Sequence, residues 1–457
     1  MPKKTKDKKS KLKKIIRQKA KKSKREVLKI PQLLRGMKDI LPEDQKYWDL
    51  ILDKAIKLAK DNGFKKIETP IIEETSLFKR GVGMETDIVE KEMFSFIDQG
   101  GEKVSLRPEA TASVARAYIE HGMFNLPQPV KLYYYGPFFR YNRPQSGRQR
   151  QFYQFGLEVL GNALPVIDAQ IILFSYVFYK EIGLETEINI NSLGCNTCRE
   201  RYKKVLLNYL KPKKNFLCSS CQSRYLKNPL RVLDCKEEKC HEVTFKVPQI
   251  VDYLCDSCKN HFIKVLEYLD EVEVPYVLNS RLVRGLDYYC RTIFEIFPKS
   301  AEEKESSGQL ALGGGGRYDY LVKMLGGRET AASGVAFGIE RIISKLKEKE
   351  IVFEEIKPQI FIAQLGEEAR KKCLKIFEDL RKEGVLMSES LSKEGLRGQL
   401  EMADKLGVKF TLILGQEEIL NETVIIRDME NGVQEVVDLK KIVKEVKKRL
   451  GMSNGAA

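Results

Sequence analysis

The 457-residue chain has no apolar run approaching the roughly 18 residues that a membrane-spanning helix needs, so no membrane association is expected. No apolar core follows its basic start, which argues against a secretory signal. It contains neither GxxxxGK(S/T) nor GxGxxG, so any nucleotide it binds is not held by a P-loop or a Rossmann turn. Ten cysteines are present, largely as close pairs, a pattern that in a reducing compartment suggests metal rather than disulfides. These features together predict a soluble, cytoplasmic protein of two or three domains, with 42% apolar residues to supply their cores.

The charge is unevenly placed. The net charge is +16, and the first 25 residues hold 14 Lys or Arg against one acid, Asp7. So dense a block of like charge predicts a disordered tail over residues 1–30 that binds RNA without reading its sequence, rather than an inert solubilising segment.

The most informative stretch is Pro137 to Gly161, PFFRYNRPQSGRQRQFYQFGLEVLG. It predicts two strands around a polar loop, with Arg140, Arg143, Arg148 and Arg150 at or just beyond the strand ends. Alternation along the outgoing strand puts Gln154, Gly156 and Glu158 on one face and Phe155, Leu157 and Val159 on the other. Gly156 is expected to leave a space between an amide and a carboxylate where something small can sit. Read without context, the stretch is an edge hairpin with a solvated charged tip.

Upstream, Asp44–Asn62 has helical spacing with Gly63 as its stop, and FKKIETPII, residues 64–72, predicts an edge strand containing Pro70. SLRPEAT, residues 105–111, predicts a strand that opens a helix, with Glu109 and Thr111 placed to cap it. Between residues 195 and 258 lie Cys195 and Cys198, Cys218 and Cys221, Cys235 and Cys240, and Cys255 and Cys258. Two cysteines separated by two residues can reach one zinc from a tight knuckle, and structural zinc takes four ligands. Four pairs make two all-thiolate sites, or one site with spare thiols and His241 as a substitute ligand. Sequence leaves the pairing open. RLVRGLDYYCRT, GGGGRYD and SGVAFGIER follow, the last a strand leading into a helix that carries Arg341. After a charged hinge at residues 345–357, alternating strands and helices predict a small α/β domain with a mixed sheet.

FRYNRPQSGRQRQFYQ resembles motif 2 of class II aminoacyl-tRNA synthetases in its histidyl-tRNA synthetase form, and LVRGLDYY resembles a peptide peculiar to that family. SLRPEAT, SGVAFGIER and QLLRGMKDILP resemble its RPEGT motif, motif 3 and N-terminal signature, so the likeness runs from about residue 32 to 450. It implies an α+β fold: an antiparallel-sheet catalytic domain over 31–345, interrupted by a Cys-rich insertion at 191–276, and an anticodon-binding α/β domain over 357–450.

The resemblance also implies roles for individual residues. Arg140 would grip the ATP α-phosphate and the substrate carboxylate, Arg148 the outer phosphates, and Arg341 the terminal phosphates of a bent ATP. Arg284 would be the catalytic arginine at the α-phosphate. Glu109 and Thr111, helped by Gln154, would hold the histidine α-amino group, while Glu158, Tyr288 and Tyr289 would recognise its imidazole. ATP with Mg2+, L-histidine and tRNA(His) are the implied ligands, structural zinc the expected metal, and a homodimer built on motif 1 the expected assembly. The chain departs from the family at Asn142, where Glu is usual at a position associated with adenine; Asn keeps a carbonyl acceptor and loses the charge. The rival reading is a histidine-sensing paralogue, the regulatory subunit of ATP phosphoribosyltransferase. Residues 357–450 and Arg284 argue against it.

Overall fold

A computed structural model describes residues 30–452 except 85, 145–146, 300–309, 350, 352 and 354–356; the basic tail lies outside the described residues. The chain divides near residue 351 into two compact units.

In the first unit the strands are β1 (Lys65–Lys66), β2 (Ile72–Glu74), β3 (Ser95–Ile97), β4 (Lys103–Leu106), β5 (Val130–Phe139) and β6 (Gln151–Leu160). They continue with β7 (Thr186–Ser192), β8 (Val277–Leu278), β9 (Cys290–Pro298), β10 (Gly313–Arg317) and β11 (Ala332–Gly338). Eight of these form one sheet in the order β1-β5-β6-β11-β10-β9-β7-β8, while β2, β4 and β3 form a small separate sheet. The large sheet is antiparallel except at its edges, where β1 runs parallel to β5 and β8 parallel to β7.

The predicted strand over 64–72 is interrupted. Lys65–Lys66 edges the large sheet and Ile72–Glu74 joins the small one. The physical cause lies between them. Pro70 has no N–H to give a ladder, and the Thr69 carbonyl is taken by Arg107 Nη1 at 2.8 Å. Arg107 also donates from Nε to Pro137 at 3.0 Å and lies over the Phe138 ring, so it ties both sheets together.

Helices Pro42–Asp61, Pro165–Glu181, Asp256–Glu271 and Ile339–Glu348 cover one face of the large sheet. Phe155, Leu157 and Val159 enter that core fully buried, as alternation along β6 requires. Burying one such side chain contributes about 1.5–3 kcal/mol. The opposite face carries the polar members of the same strands and a second core shared with the insertion. Beneath the sheet, Arg317 donates from Nε to Asp168 at 3.0 Å, and Asp168 lies 2.8 Å from His261 Nε2. This buried polar set joins β10 to two of the helices.

The second unit has a five-stranded mixed sheet of β12 (Ile360–Gln364), β13 (Met387–Glu389), β14 (Phe410–Leu414), β15 (Thr423–Asp428) and β16 (Gln434–Asp438). The order is β13-β12-β14-β15-β16, parallel on one side of β14 and antiparallel on the other. Helices Glu367–Lys382 and Ile442–Arg449 contribute to one of its apolar clusters and Leu396–Leu406 to another. The second strand of this unit, which the sequence pattern places at 385–387, lies two residues later, and a short helix, Gln416–Leu420, has no counterpart in that pattern. Of the expected hinge, residues up to Glu348 continue the preceding helix.

Candidate active site

The β5–β6 hairpin lies just inside the edge strand β1, and it and its loop carry four of the site residues, Arg140, Arg148, Gln154 and Glu158. One residue past β5, Arg140 is fixed by its own backbone N–H, which donates to the Arg150 carbonyl at 2.9 Å. Arg150 itself is structural: its ring-stacked guanidinium lies 3.8 Å from the Tyr141 centroid and its N–H donates to Gly36 at 2.8 Å. Above the hairpin is a cavity of about 340 Å³. Glu109, Thr111, Arg140, Arg148, Gln154, Glu158, Arg284, Tyr288, Tyr289 and Arg341 all line it. These ten residues come from four separate stretches of chain, and the fold brings every one of them to the same cavity.

One end of the cavity is built from hydrogen-bonded acids and tyrosines. Glu158 is buried, accepting from Thr111 Oγ1 at 2.7 Å and from the Tyr318 hydroxyl at 2.5 Å. Burial pushes its carboxyl up to about 8, against the pull of these hydrogen bonds; the neighbouring Glu109 adds to the rise. Glu109 caps the helix Thr111–Glu120, its oxygens accepting the N–H groups of Thr111 at 2.8 Å and Ala112 at 2.9 Å. Burial raises this carboxyl too, partly offset by those N–H groups. Of the two caps read from sequence, Glu109 is present as one and Thr111 is not, since its hydroxyl goes to Glu158; the Tyr288 hydroxyl donates to the Glu109 carboxylate at 3.3 Å. Ala110, in place of the family's glycine, sits at φ −102° and is unstrained.

The space expected beside Gly156 is filled. Tyr134 stands directly opposite in the register, and its ring lies over the glycine where a Cβ would be. The glycine thus admits a fourth tyrosine to the pocket wall rather than a ligand. Gly334 on β11 plays the matching part for Glu158, whose carboxylate occupies the position a Cβ would take. Tyr318 was missed in the sequence, where GGGGRYD drew attention only to its glycines.

The other end is cationic. Arg140 donates from Nε to the Pro108 carbonyl at 2.9 Å and lies over the Phe152 ring. Arg341 donates to the carbonyls of Gly147 at 3.1 Å and Ala311 at 2.6 Å. Burial, then the guanidinium groups of Arg148 and Arg140, push Arg341 down to about 10. None of Arg140, Arg148 and Arg341 has a carboxylate ion pair among the described residues. Arg284, between the two ends, pairs with Glu295 and lies 5.4 Å from the Tyr289 ring centroid. Its guanidinium fits over Gly314, where a Cβ would stand 2.7 Å from Nη1. A run of glycines in sequence reads as backbone free to approach a phosphate or ligand closely; at Gly314 it instead makes room for an arginine.

Asn142 also lines the cavity. With its amide nitrogen turned to Glu92 it donates to Oε1 at 2.5 Å and Oε2 at 3.1 Å. A carboxylate, that of Glu92, thus lies directly behind position 142 without itself lining the cavity, and it fixes the orientation of the Asn142 amide.

The eight insertion cysteines form two groups: Cys195, Cys198, Cys255 and Cys258, and Cys218, Cys221, Cys235 and Cys240, with sulfurs within 4.8 Å of one another. Three knuckles share one construction, in which the first cysteine caps a helix, at Cys195, Cys218 and Cys255. Neighbouring sulfurs stand 3.6 Å apart at Cys195–Cys198 and 3.8 Å at Cys218–Cys235. Sulfurs about 2.3 Å from one zinc would lie about 3.8 Å apart along a tetrahedron edge, whereas disulfide sulfurs are about 2.05 Å apart. Against the cost of burial, N–H and thiol donors hold Cys195 down at about 6, while burial and the adjoining thiols push Cys240 up to about 11. Four thiols this close ionise together only with a cation between them. His241, the alternative ligand, instead meets Arg281 at 3.2 Å.

An antiparallel sheet with helices on one face and an arginine-lined cavity on the other is the catalytic platform of class II aminoacyl-tRNA synthetases. The family model described as histidyl-tRNA synthetase matches residues 36–193 and 241–342, and that of an anticodon-binding domain matches 359–449. The chain belongs to the histidyl-tRNA synthetase family. It is 45% identical over 417 residues to a histidine–tRNA ligase of Desulforamulus reducens, covering 91% of this chain and 98% of that one. With the same enzyme of Acetivibrio thermocellus the identity is 43% over 420 residues, covering 92% and 100%. The crystal structure of apo S. aureus histidyl-tRNA synthetase superposes with a TM-score of 0.75 at 35% identity, covering 92% of this chain and all of that one. A structure from Bacillus halodurans described as an ATP phosphoribosyltransferase regulatory subunit/histidyl-tRNA synthetase shares the fold, at 21% identity and a TM-score of 0.59 over 84% and 98% of the two chains.

Proposed function

We infer that this chain joins L-histidine to tRNA(His) through a histidyl-adenylate. The observation that carries the reading is the cavity's polarity: a buried, hydrogen-bonded carboxyl among tyrosines at one end and, at the other, arginines without a carboxylate ion pair among the described residues. In the first step a histidine carboxylate oxygen attacks the α-phosphorus of ATP, a P–O bond forms, and the bond to the β-phosphate oxygen breaks to release pyrophosphate. In the second, a terminal ribose hydroxyl of tRNA attacks the acyl carbon and AMP leaves. The carboxylate is already a nucleophile, so the protein's task is placement and charge stabilisation.

Arg140 and Arg284 are assigned to the α-phosphate, and Arg148 and Arg341 to the outer phosphates. Planar guanidinium groups suit phosphate oxygens because they bind bidentately and keep their charge. Glu109, Thr111 and Gln154 face the ammonium group. Glu158, with Tyr288 and Tyr289, faces the imidazole, which offers one donor and one acceptor. Mg2+ bound with the nucleotide would supply charge neutralisation of its phosphates, and Glu340 is a cavity carboxylate of the oxygen type it prefers, Glu295 being taken by Arg284. The Asn142 Oδ1 is assigned to the adenine amine.

Each thiol group is assigned one structural Zn2+. A homodimer through motif 1 is favoured by the exposed Ile71, Ile72, Phe96 and Ile97 around the small sheet, and no described helix is long and apolar enough to cross a membrane. We assign the protein to the cytoplasm. Histidine-dependent exchange between ATP and pyrophosphate tests the reading. Exchange supported by another amino acid but not by histidine overturns it. Metal analysis after mild chelation tests the zinc: two ions per chain are expected, and eight freely titratable thiols without zinc would remove that assignment.

A further inference from the structure

The helix Asn196–Leu210 begins just after β7, and two members of the first thiol group sit at its start, Cys195 as the cap and Cys198 one turn in. Their partners Cys255 and Cys258 open the helix Asp256–Glu271, and the Cys255 N–H donates to Cys198 Sγ at 3.1 Å. Arg199 comes directly after Cys198, and its own N–H donates to the Cys195 carbonyl at 2.9 Å. The Arg199 guanidinium leaves the insertion altogether. It donates from Nη1 to the Asp287 carbonyl at 3.1 Å and from Nη2 to the Tyr289 carbonyl.

Those two carbonyls flank Tyr288. They belong to the segment 284–289 that carries Arg284, Tyr288 and Tyr289 to the cavity. Arg199 has no carboxylate ion pair among the described residues, and its Nε is buried without a partner. A half-buried guanidinium spent on two main-chain carbonyls fixes the path of a peptide rather than neutralising a charge. The same peptide is bonded at Gly285 by Arg231 and at the Asp287 carboxylate by Asn228, at 3.3 Å, both from the segment between Cys221 and Cys235. The N–H of Arg291 donates to the Gly194 carbonyl at 2.8 Å, joining the chain just before Cys195 to the chain just after Tyr289.

We propose that Arg199 is a positioning residue for the histidine end of the cavity, and that the thiol group of Cys195, Cys198, Cys255 and Cys258 sets where Tyr288 and Tyr289 stand by fixing the helix start that carries Arg199. The proposal rests on the assignment of histidine to that end of the cavity. Arg140, Arg148 and Arg341 reach the phosphate end from other elements, and Arg284, at the far end of the segment from Arg199's two carbonyls, is held separately by Glu295 on β9, so ground-state ATP binding does not depend on Arg199.

The test compares Arg199→Ala, Arg199→Lys and Cys255→Ser with the unaltered full chain. Histidine affinity is read by calorimetry, the KM for ATP by pyrophosphate exchange, zinc by metal analysis, and folding by thermal melting. Losing charged donors to two buried carbonyls should cost Arg199→Ala about 10-fold or more in histidine affinity. Its KM for ATP should stay within about two-fold and its zinc content unchanged. Arg199→Lys should lie between, and added ethylguanidinium should recover part of the loss in Arg199→Ala alone. Cys255→Ser should lose zinc from one group and show the same histidine-selective defect. Equal losses for histidine and ATP, or unchanged histidine affinity in Arg199→Ala, overturn the proposal. If the alanine variant does not fold, the lysine and Cys255→Ser variants decide it. Loss of zinc in Cys255→Ser with histidine affinity intact severs the thiol group from the pocket and overturns that part. A wild-type chain without histidine-dependent exchange fails at the underlying assignment instead, which the same exchange assay shows.

Discussion

At one end of the cavity each buried acid has partners within the protein: Glu158 has Thr111 and Tyr318, and Glu109 has two backbone N–H groups and Tyr288. At the other end Arg140 and Arg341 donate to backbone carbonyls, and among the described residues no carboxylate comes within ion-pair distance of either. The two ends therefore select their ligands differently. A site of satisfied, buried polar groups discriminates by shape and hydrogen-bond pattern, because a ligand lacking a group leaves a partner stranded. A cluster of buried guanidinium groups is electrostatically incomplete until a polyanion enters, so it attracts and holds phosphate with little regard for what the phosphate is attached to.

Arg284 tests whether the ends are separable, since it stands between them and is held by Glu295. Its guanidinium should matter more as charge builds on the α-phosphate than in the ground state. Arg284→Lys keeps the charge and loses the fork, so adenylate formation should fall by roughly 10²-fold or more. Transfer from adenylate already made should suffer less. Single-turnover rates for the two steps separate these cases, and equal slowing of both would make Arg284 a support for the pocket.

Glu158 gives the next largest effect and confines it to one end. Glu158→Gln should lower histidine affinity by about 10-fold, with the KM for ATP within about two-fold, as measured by calorimetry and exchange. An equal effect on both ligands would break the contrast.

The same carboxyl predicts a pH dependence. In the empty protein its folded value is raised from 4.5 to about 8, so the uncharged acid is the stable form at neutral pH. The stability it supports is full below about 4.5 and is lost as pH rises through 8, by roughly 5 kcal/mol at the upper bound. Histidine's own imidazole titrates near 6.5. The complex is built to hold one proton between the two groups, so affinity should be greatest between about 6.5 and 8 and fall on both sides. Calorimetry across that range checks it, and in Glu158→Gln the alkaline fall should vanish. A bell that persists in Glu158→Gln would assign the upper limb elsewhere.

Much of this was legible in the chain. Alternation along β6 separated Phe155, Leu157 and Val159 from Gln154 and Glu158, because a strand's period is fixed by its backbone. Motif resemblance gathered ten residues that the fold places in one cavity. What could not be read depends on register and on contacts distant in sequence. Tyr134 fills the place beside Gly156 because the hairpin sets them opposite one another, and no local signal announces that pairing. The run holding Gly314 reads as glycines that let backbone approach a phosphate until Arg284 is seen occupying the place of its missing Cβ, and Gly334 gives no sign in sequence that it makes the same room for Glu158. The knuckles pair first with fourth and second with third, an order decided by where helices begin. The strand expected at 64–72 broke because Arg107, nearly forty residues on, takes the Thr69 carbonyl.

The smallest expected effect concerns adenine, at the margin of the phosphate end. Asn142 stands where the family usually has glutamate, yet a carboxylate is present, because Glu92 accepts from the Asn142 amide. Burial raises the Glu92 carboxyl, Asp87 raises it further, and Arg140 opposes them. Restoring glutamate with Asn142→Glu would set a second carboxylate against this one and remove the donor that Glu92 now uses. One of the two acids would take up a proton or swing away, and the acceptor assigned to the adenine amine would lose its fixed orientation. The KM for ATP in pyrophosphate exchange should therefore rise by about three- to ten-fold, with histidine affinity unchanged. Adding Glu92→Gln to Asn142→Glu should recover most of that loss, since the amide then donates from position 92 and the carboxylate accepts at position 142. Coupling of this sign between the two sites is what a double-mutant cycle measures. Tighter ATP binding by Asn142→Glu alone, or strictly additive effects of the two changes, would show that Glu92 has no part in reading the base.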